Sequence, residues 1–127
     1  MKRDMDLIRE ILLAINESEE TETLSLKNLG VKNRSWKTLI LHLELLGDAG
    51  LILCDMDESI SDSSDPEIYR ITWAGYEFLE AANDDKRWEQ AKKIAGKVGS
   101  GSFEILKSVL TGLAVEGVRA LVPVIRF

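Results

Sequence analysis

Met5, Ile8, Ile11, Leu12 and Ile15 fall on one face of a helical template, and Asp4 or Asp6 can cap its start, so the spacing predicts a helix over residues 4–16. A polar connection follows to residue 23. Thr23-Leu24-Ser25-Leu26 then alternates as a short strand would, while residues 27–30 suit an abbreviated helix; the pattern leaves both open. The clearest stretch is Leu39-Ile-Leu-His-Leu-Glu-Leu-Leu-Gly-Asp-Ala-Gly-Leu-Ile52, an amphipathic helix that closes on a glycine and runs straight into a strand. Ser35 is a good N-cap for this helix. Helical steps place Trp36, Leu39, Ile40, Leu43 and Leu46 in one apolar arc.

Residues 51–56 alternate as a strand, and Ile68-Tyr69-Arg70-Ile71-Thr72 can pair with them across a polar Ser/Asp-rich loop over residues 57–66. Thr72 can cap a further helix with Trp73, Tyr76 and Leu79 as its apolar ridge. Asn83-Asp84-Asp85 interrupts that helix before Trp88, Ala91 and Ile94 resume the spacing. Residues 96–101 form a Gly/Ser hinge. Ser102 then caps a last helix with Phe103, Leu106, Leu110, Leu113, Ala114 and Gly117 on one side, and helicity is lost at Pro123.

This order predicts a mainly α fold with a small β-hairpin: a winged helix-turn-helix with a C-terminal helical extension. The winged-helix part covers residues 1–96, and the hinge and extension cover 97–127. Trp36, Leu39, Ile40, Leu43, Leu46 and Trp73 should lie in the core.

Composition adds bounds. A chain of 127 residues is long enough for one compact domain with a real core, and 45% apolar with 30% charged residues fits a globular protein. The single Cys54 excludes an internal disulfide. The first fifteen residues are too charged for a signal peptide, so a cytoplasmic setting is expected.

Charge changes the picture more than composition does. The net charge of -6 is unevenly spread: residues 24–54 carry +2, while residues 55–67 hold six acids and no base. Those six are Asp55, Asp57, Glu58, Asp62, Asp65 and Glu67. They sit in and beside the expected wing, where a DNA-binding protein would need cations.

Several blocks carry a resemblance. The opening Met1-Lys-Arg-Asp-Met-Asp-Leu-Ile-Arg9 is similar to the start of an uncharacterised, phage- and prophage-associated domain family. So are His42-Leu-Glu-Leu-Leu-Gly-Asp-Ala-Gly-Leu-Ile52, Arg70-Ile-Thr-Trp-Ala-Gly-Tyr-Glu-Phe-Leu-Glu80 and Gly101-Ser-Phe-Glu-Ile-Leu-Lys107. The blocks occur in order along residues 1–107. The resemblance implies a domain of unknown function, similar to winged-helix proteins, with no assigned catalytic residues.

The candidate chemistry is thin. A recognition helix needs hydrogen-bonding groups on its outer face, but here that face reads Lys37, Thr38, Leu41, Leu45 and Asp48. Asn33, Arg34, Ser35 and Lys37 are the nucleic-acid candidates. Leu41 and Leu45, two outward leucines one turn apart, suit a covered surface better. Asp55, Asp57, Ser59 and Ser61 alternate like calcium ligands, but Ile60 stands where the sharp turn needs Gly and Pro66 where a bidentate Glu is needed. His42 and Cys54 are each the sole residue of their kind, which leaves no Cys/His metal set and no catalytic pair. His42 is expected to make one structural hydrogen bond.

No metal, cofactor or small-molecule substrate is therefore expected, and no enzyme. Residues 109–125 are largely apolar, yet too short and too charged to span a membrane. Leu106, Leu110, Leu113 and Gly117 are candidates for self-association or a protein partner. The expectation is a non-enzymatic regulatory or adaptor protein acting by protein contact. The alternative is a DNA-binding transcriptional regulator docking through the helix that starts near Ser35.

Overall fold

The computed structural model describes residues 2–18, 24–55, 65–98 and 103–121. Among these residues helix dominates, with a small antiparallel sheet of three strands. The chain divides into two compact units, Met1–Leu79 and Glu80–Phe127. The division falls inside a helix, upstream of the Gly/Ser stretch at which the sequence suggested one.

The first unit opens with α1 (Met5–Glu17). The Asp4 carboxylate accepts the amides of Asp6 (3.0 Å) and Leu7 (3.3 Å), satisfying two donors that a helix start leaves open. Leu7, Ile8, Ile11 and Leu12 are buried, each contributing about 1.5–3 kcal/mol of apolar burial. Strand β1 (Leu24–Ser25) leads directly into a 3-10 turn (Leu26–Leu29), so the two alternatives left open by the pattern both occur, in succession. Residues 65 and 66 hold this corner: the Leu26 amide donates to the Pro66 carbonyl at 3.2 Å and the Lys27 amide to the Asp65 carboxylate at 3.1 Å.

Helix α2 (Trp36–Asp48) is capped by Ser35, whose hydroxyl oxygen accepts the Thr38 amide at 3.1 Å. Its exit is a Schellman turn. Gly50 takes φ +73°, the Leu51 amide reaches back to the Leu46 carbonyl, and the Gly50 amide to that of Gly47, each at 3.0 Å. Leu39, Leu43 and Leu46 are buried as expected. Trp36 and Ile40 are half-buried, with the Lys27 ammonium 5.6 Å from the Trp36 ring centre.

Strands β2 (Ile52–Cys54) and β3 (Glu67–Ile71) pair antiparallel, and β3 lies between β1 and β2. Leu53 faces Arg70 but Cys54 faces Ile68, so Tyr69 is an extra residue on β3. That bulge has a structural consequence. In a regular strand Ile68 and Ile71 would point to opposite faces; with one residue inserted both are buried, while Tyr69 and Arg70 both face out.

Helix α3 (Trp73–Ala82) corrects one expectation. Trp73 is 81% exposed and Tyr76 46% exposed, whereas Gly75, Phe78 and Leu79 are buried. The ridge is rotated because the helix approaches β2 through its glycine. A Cβ on Gly75 would run into the Leu51 carbonyl and the Ile71 side chain. Thr72 fixes that approach: its amide donates to Leu51 O at 2.9 Å, its hydroxyl donates to Gly50 O, and its oxygen accepts the Gly75 amide at 3.1 Å.

The second unit is a helical hairpin of α4 (Asp85–Val98) and α5 (Phe103–Leu121). Asp84 caps α4 by accepting the Arg87 amide at 2.9 Å. Trp88, Ala91 and Ala95 on α4 and Leu106 and Leu110 on α5 are buried. Gly96 lies within α4, so the helix runs on through the first residues of the expected hinge. The remaining hinge residues, the Ser102 cap, the hairpin tip with Asp57, Glu58 and Asp62, and the tail with Pro123 lie outside the described residues.

Candidate functional site

Two surfaces of the first unit are candidates for a functional site. One is the corner at the start of α2. Asn33 sits in the left-handed region at φ +65°, a conformation asparagine tolerates better than most residues. Lys32, Asn33, Arg34, Ser35 and Lys37 are all exposed there.

Arg34 is nonetheless drawn back toward α1. Its Nη2 lies 3.5 Å from the Asp4 carboxylate and its Nη1 donates to the Asn33 carbonyl at 3.1 Å. Asp4 also donates its own amide to His42 Nε2 at 2.8 Å, and His42 Nδ1 donates to the Thr38 carbonyl at 2.8 Å. His42 is fully buried and makes two such bonds, one more than its sequence context suggested. One residue at the cap of α1 thus holds both His42 within α2 and Arg34 just ahead of it.

The leucine candidates separate. Leu41 and Leu45 are half-buried, and Leu113 is half-buried on α5. Leu106 and Leu110 lie in the interior of the second unit, where burial removes them from accessible surface. Gly117 is exposed.

The other surface was not singled out by sequence. Tyr69 on the β3 bulge is 50% exposed, and Leu53 on β2 is 45% exposed. Tyr69, Arg70 and Tyr76 line a shallow depression of about 180 Å³ together with Ile15, Leu24 and Ile68. Trp73 stands one turn before Tyr76 on α3, at the i, i+3 spacing that makes helical neighbours. Hydrophobic spacing does not reveal this face, because it depends on the bulge, where an inserted residue resets the alternation.

Carboxylates surround the face. Asp55, with Glu67 adding to it, raises the Tyr69 phenol above its ordinary value, because a phenolate there would sit beside existing negative charge. The Cys54 thiol is also raised, first by burial and then by Asp55, Asp48 and Glu44, which makes it a poor nucleophile. Among the described residues, no group of three or more His, Cys, Asp or Glu is placed to hold a metal ion, and no helix is long and apolar enough to cross a membrane.

The architecture defines a small, mainly helical protein with a three-stranded antiparallel sheet and exposed aromatic residues on β3 and α3. The chain belongs to the family described as hypothetical protein DUF2513, which matches residues 2–102. It is similar to a Haemophilus influenzae protein described as uncharacterised, with 37% identity over 114 residues, spanning 86% of this chain and 92% of that protein. No solved structure matches the chain.

Proposed function

We propose that this is a non-enzymatic regulatory or adaptor protein that acts by protein–protein contact on a winged-helix scaffold. The scaffold is supported by element order: a helix, a short strand, a one-turn helix, a longer helix and a two-stranded hairpin, with β3 between β1 and β2. That is the sequence of elements a winged helix uses. The phage association implied by the resemblance, and a cytoplasmic setting, belong to the same proposal.

The observation that carries protein contact is Trp73. A tryptophan 81% exposed, with Tyr69, Tyr76 and Leu53 also exposed in the same unit, is costly to leave in water and is the composition of an interface centre. Charge supports the same conclusion, since Asp55, Asp65 and Glu67 flank the hairpin where wings that bind DNA bring cations.

The second reading is a DNA-binding regulator docking through Asn33, Arg34, Ser35 and Lys37. It is favoured by the exposure of those residues at the start of α2, and weakened by the pairing of Arg34 with Asp4. A photo-crosslinking amino acid placed at position 73 or at position 37 in living cells separates the two. Protein adducts from position 73 with no nucleic-acid adduct from position 37 are expected. Nucleic-acid adducts from position 37 would overturn protein contact as the main activity.

A further inference from the structure

Trp73, Tyr69 and Tyr76 share their surface with three exposed carboxylates. Glu77 lies one turn beyond Trp73, at i+4 on the same helix, and Asp55 and Glu67 act electrostatically on Tyr69. The amide of Asp55 donates to the Glu67 carbonyl at 2.8 Å, which sets these two acids side by side across the β2–β3 ladder. Arg70 borders the same depression, its Nη1 donating to the Ile71 carbonyl at 3.2 Å, and its single positive charge leaves the three carboxylates in excess. Aromatic faces carry negative quadrupolar charge, so rings and carboxylates here favour one sign of ligand.

From this complementarity we infer that the Tyr69–Trp73–Tyr76 face is a docking surface for an arginine- or lysine-bearing segment of a partner protein. The cationic groups stack on Trp73 and Tyr76, and Glu77, Glu67 and Asp55 pair with their charge. This rests on the protein-contact function proposed above and adds the chemistry of the partner and the place it binds. Two other occupants fit poorly. A second copy seated on this face would bring the same three carboxylates of both copies into one interface, and a phosphate backbone would meet them as well. The chain's net charge of -6 adds long-range attraction for a basic partner.

The test is an NMR titration of the full-length, nitrogen-15-labelled protein, following the indole N–H of Trp73 as assigned from the spectrum of Trp73→Phe. The probes are a short Arg–Ser peptide, its Glu–Ser counterpart and a mixed-sequence DNA duplex. The Arg–Ser peptide is expected to give a saturable shift at Trp73 that weakens with salt. In Trp73→Ala/Tyr76→Ala, followed through the backbone amides of Arg70 and Glu77, the affinity should fall about tenfold, the loss typical of removing an interface anchor.

Both substituted side chains are largely exposed, so the fold is expected to tolerate the change. Glu77→Gln should weaken binding further without altering the rings. Affinity unchanged in the double variant would mark diffuse charge attraction and overturn the inference. So would equal binding of the Glu–Ser peptide, or silence with all three probes; these leave protein contact in general standing. Duplex-induced shifts confined to residues 33–37 would instead remove that broader function as well.

Discussion

His42 holds one proton and has two tasks. Its Nε2 accepts the Asp4 amide, so the proton sits on Nδ1 and goes to the Thr38 carbonyl. A buried imidazole in this tautomer ties the first turn of α1 to the middle of α2, and Asp4 passes the same tie on to Arg34. Replacing His42 with leucine leaves the Asp4 amide without its acceptor, which should cost roughly 2 kcal/mol in denaturant unfolding. Glutamine presents both an acceptor and a donor, so His42→Gln should recover part of that loss. Equal destabilisation by the two would show that ring packing, not hydrogen bonding, is what His42 supplies. Sequence position alone made His42 a structural residue on the margin of an apolar arc. Its partner lies thirty-eight residues away, and no local pattern names it.

The helices and strands were legible where a cap and a spacing agree. Asp4 with Ile8, Ile11 and Leu12 gives α1, and Ser35 with Leu39, Leu43 and Leu46 followed by Gly50 gives α2. Helix α3 was placed correctly along the chain but turned the wrong way, because tryptophan and tyrosine weigh as core residues in any periodicity. The packing residue is the smallest one available. Gly75→Ala should destabilise the protein by about 3 kcal/mol, since the new methyl meets backbone at Leu51, which cannot rotate aside; a change below half that figure would mean α3 can slide on β2.

Helix α4 depends on its cap in a different way. The Asp84 carboxyl is held below its ordinary value, chiefly by the Arg87 amide. A lowered folded value means this contribution is intact above the unfolded value of about 4 and is lost as pH falls through the folded one. Far-UV circular dichroism should therefore show helix loss on acidification that Asp84→Asn flattens; an identical acid limb in that variant would assign the loss to other carboxylates.

Charge and exposed apolar surface together set what the chain as a whole can meet. The net charge of -6 is concentrated beside the hairpin, while the modest excess of cations over residues 24–54 lies near the start of α2, where Asp4 engages Arg34. The uneven charge was legible in the sequence. The aromatic face beside it was not, because it depends on a bulge at Tyr69 and on a helix turned by Gly75. The proposed docking surface and the packing therefore come from the same local irregularities. Protein contact and DNA reading are separated by measurement. The most direct one is fluorescence anisotropy of a labelled mixed-sequence duplex, titrated with the protein at low and at moderate salt. A protein that works by contact with other proteins should leave the anisotropy unchanged up to roughly 100 micromolar at low salt. Binding between about 1 and 100 micromolar that falls steeply as salt rises would contradict that account and make α2 a DNA-reading helix.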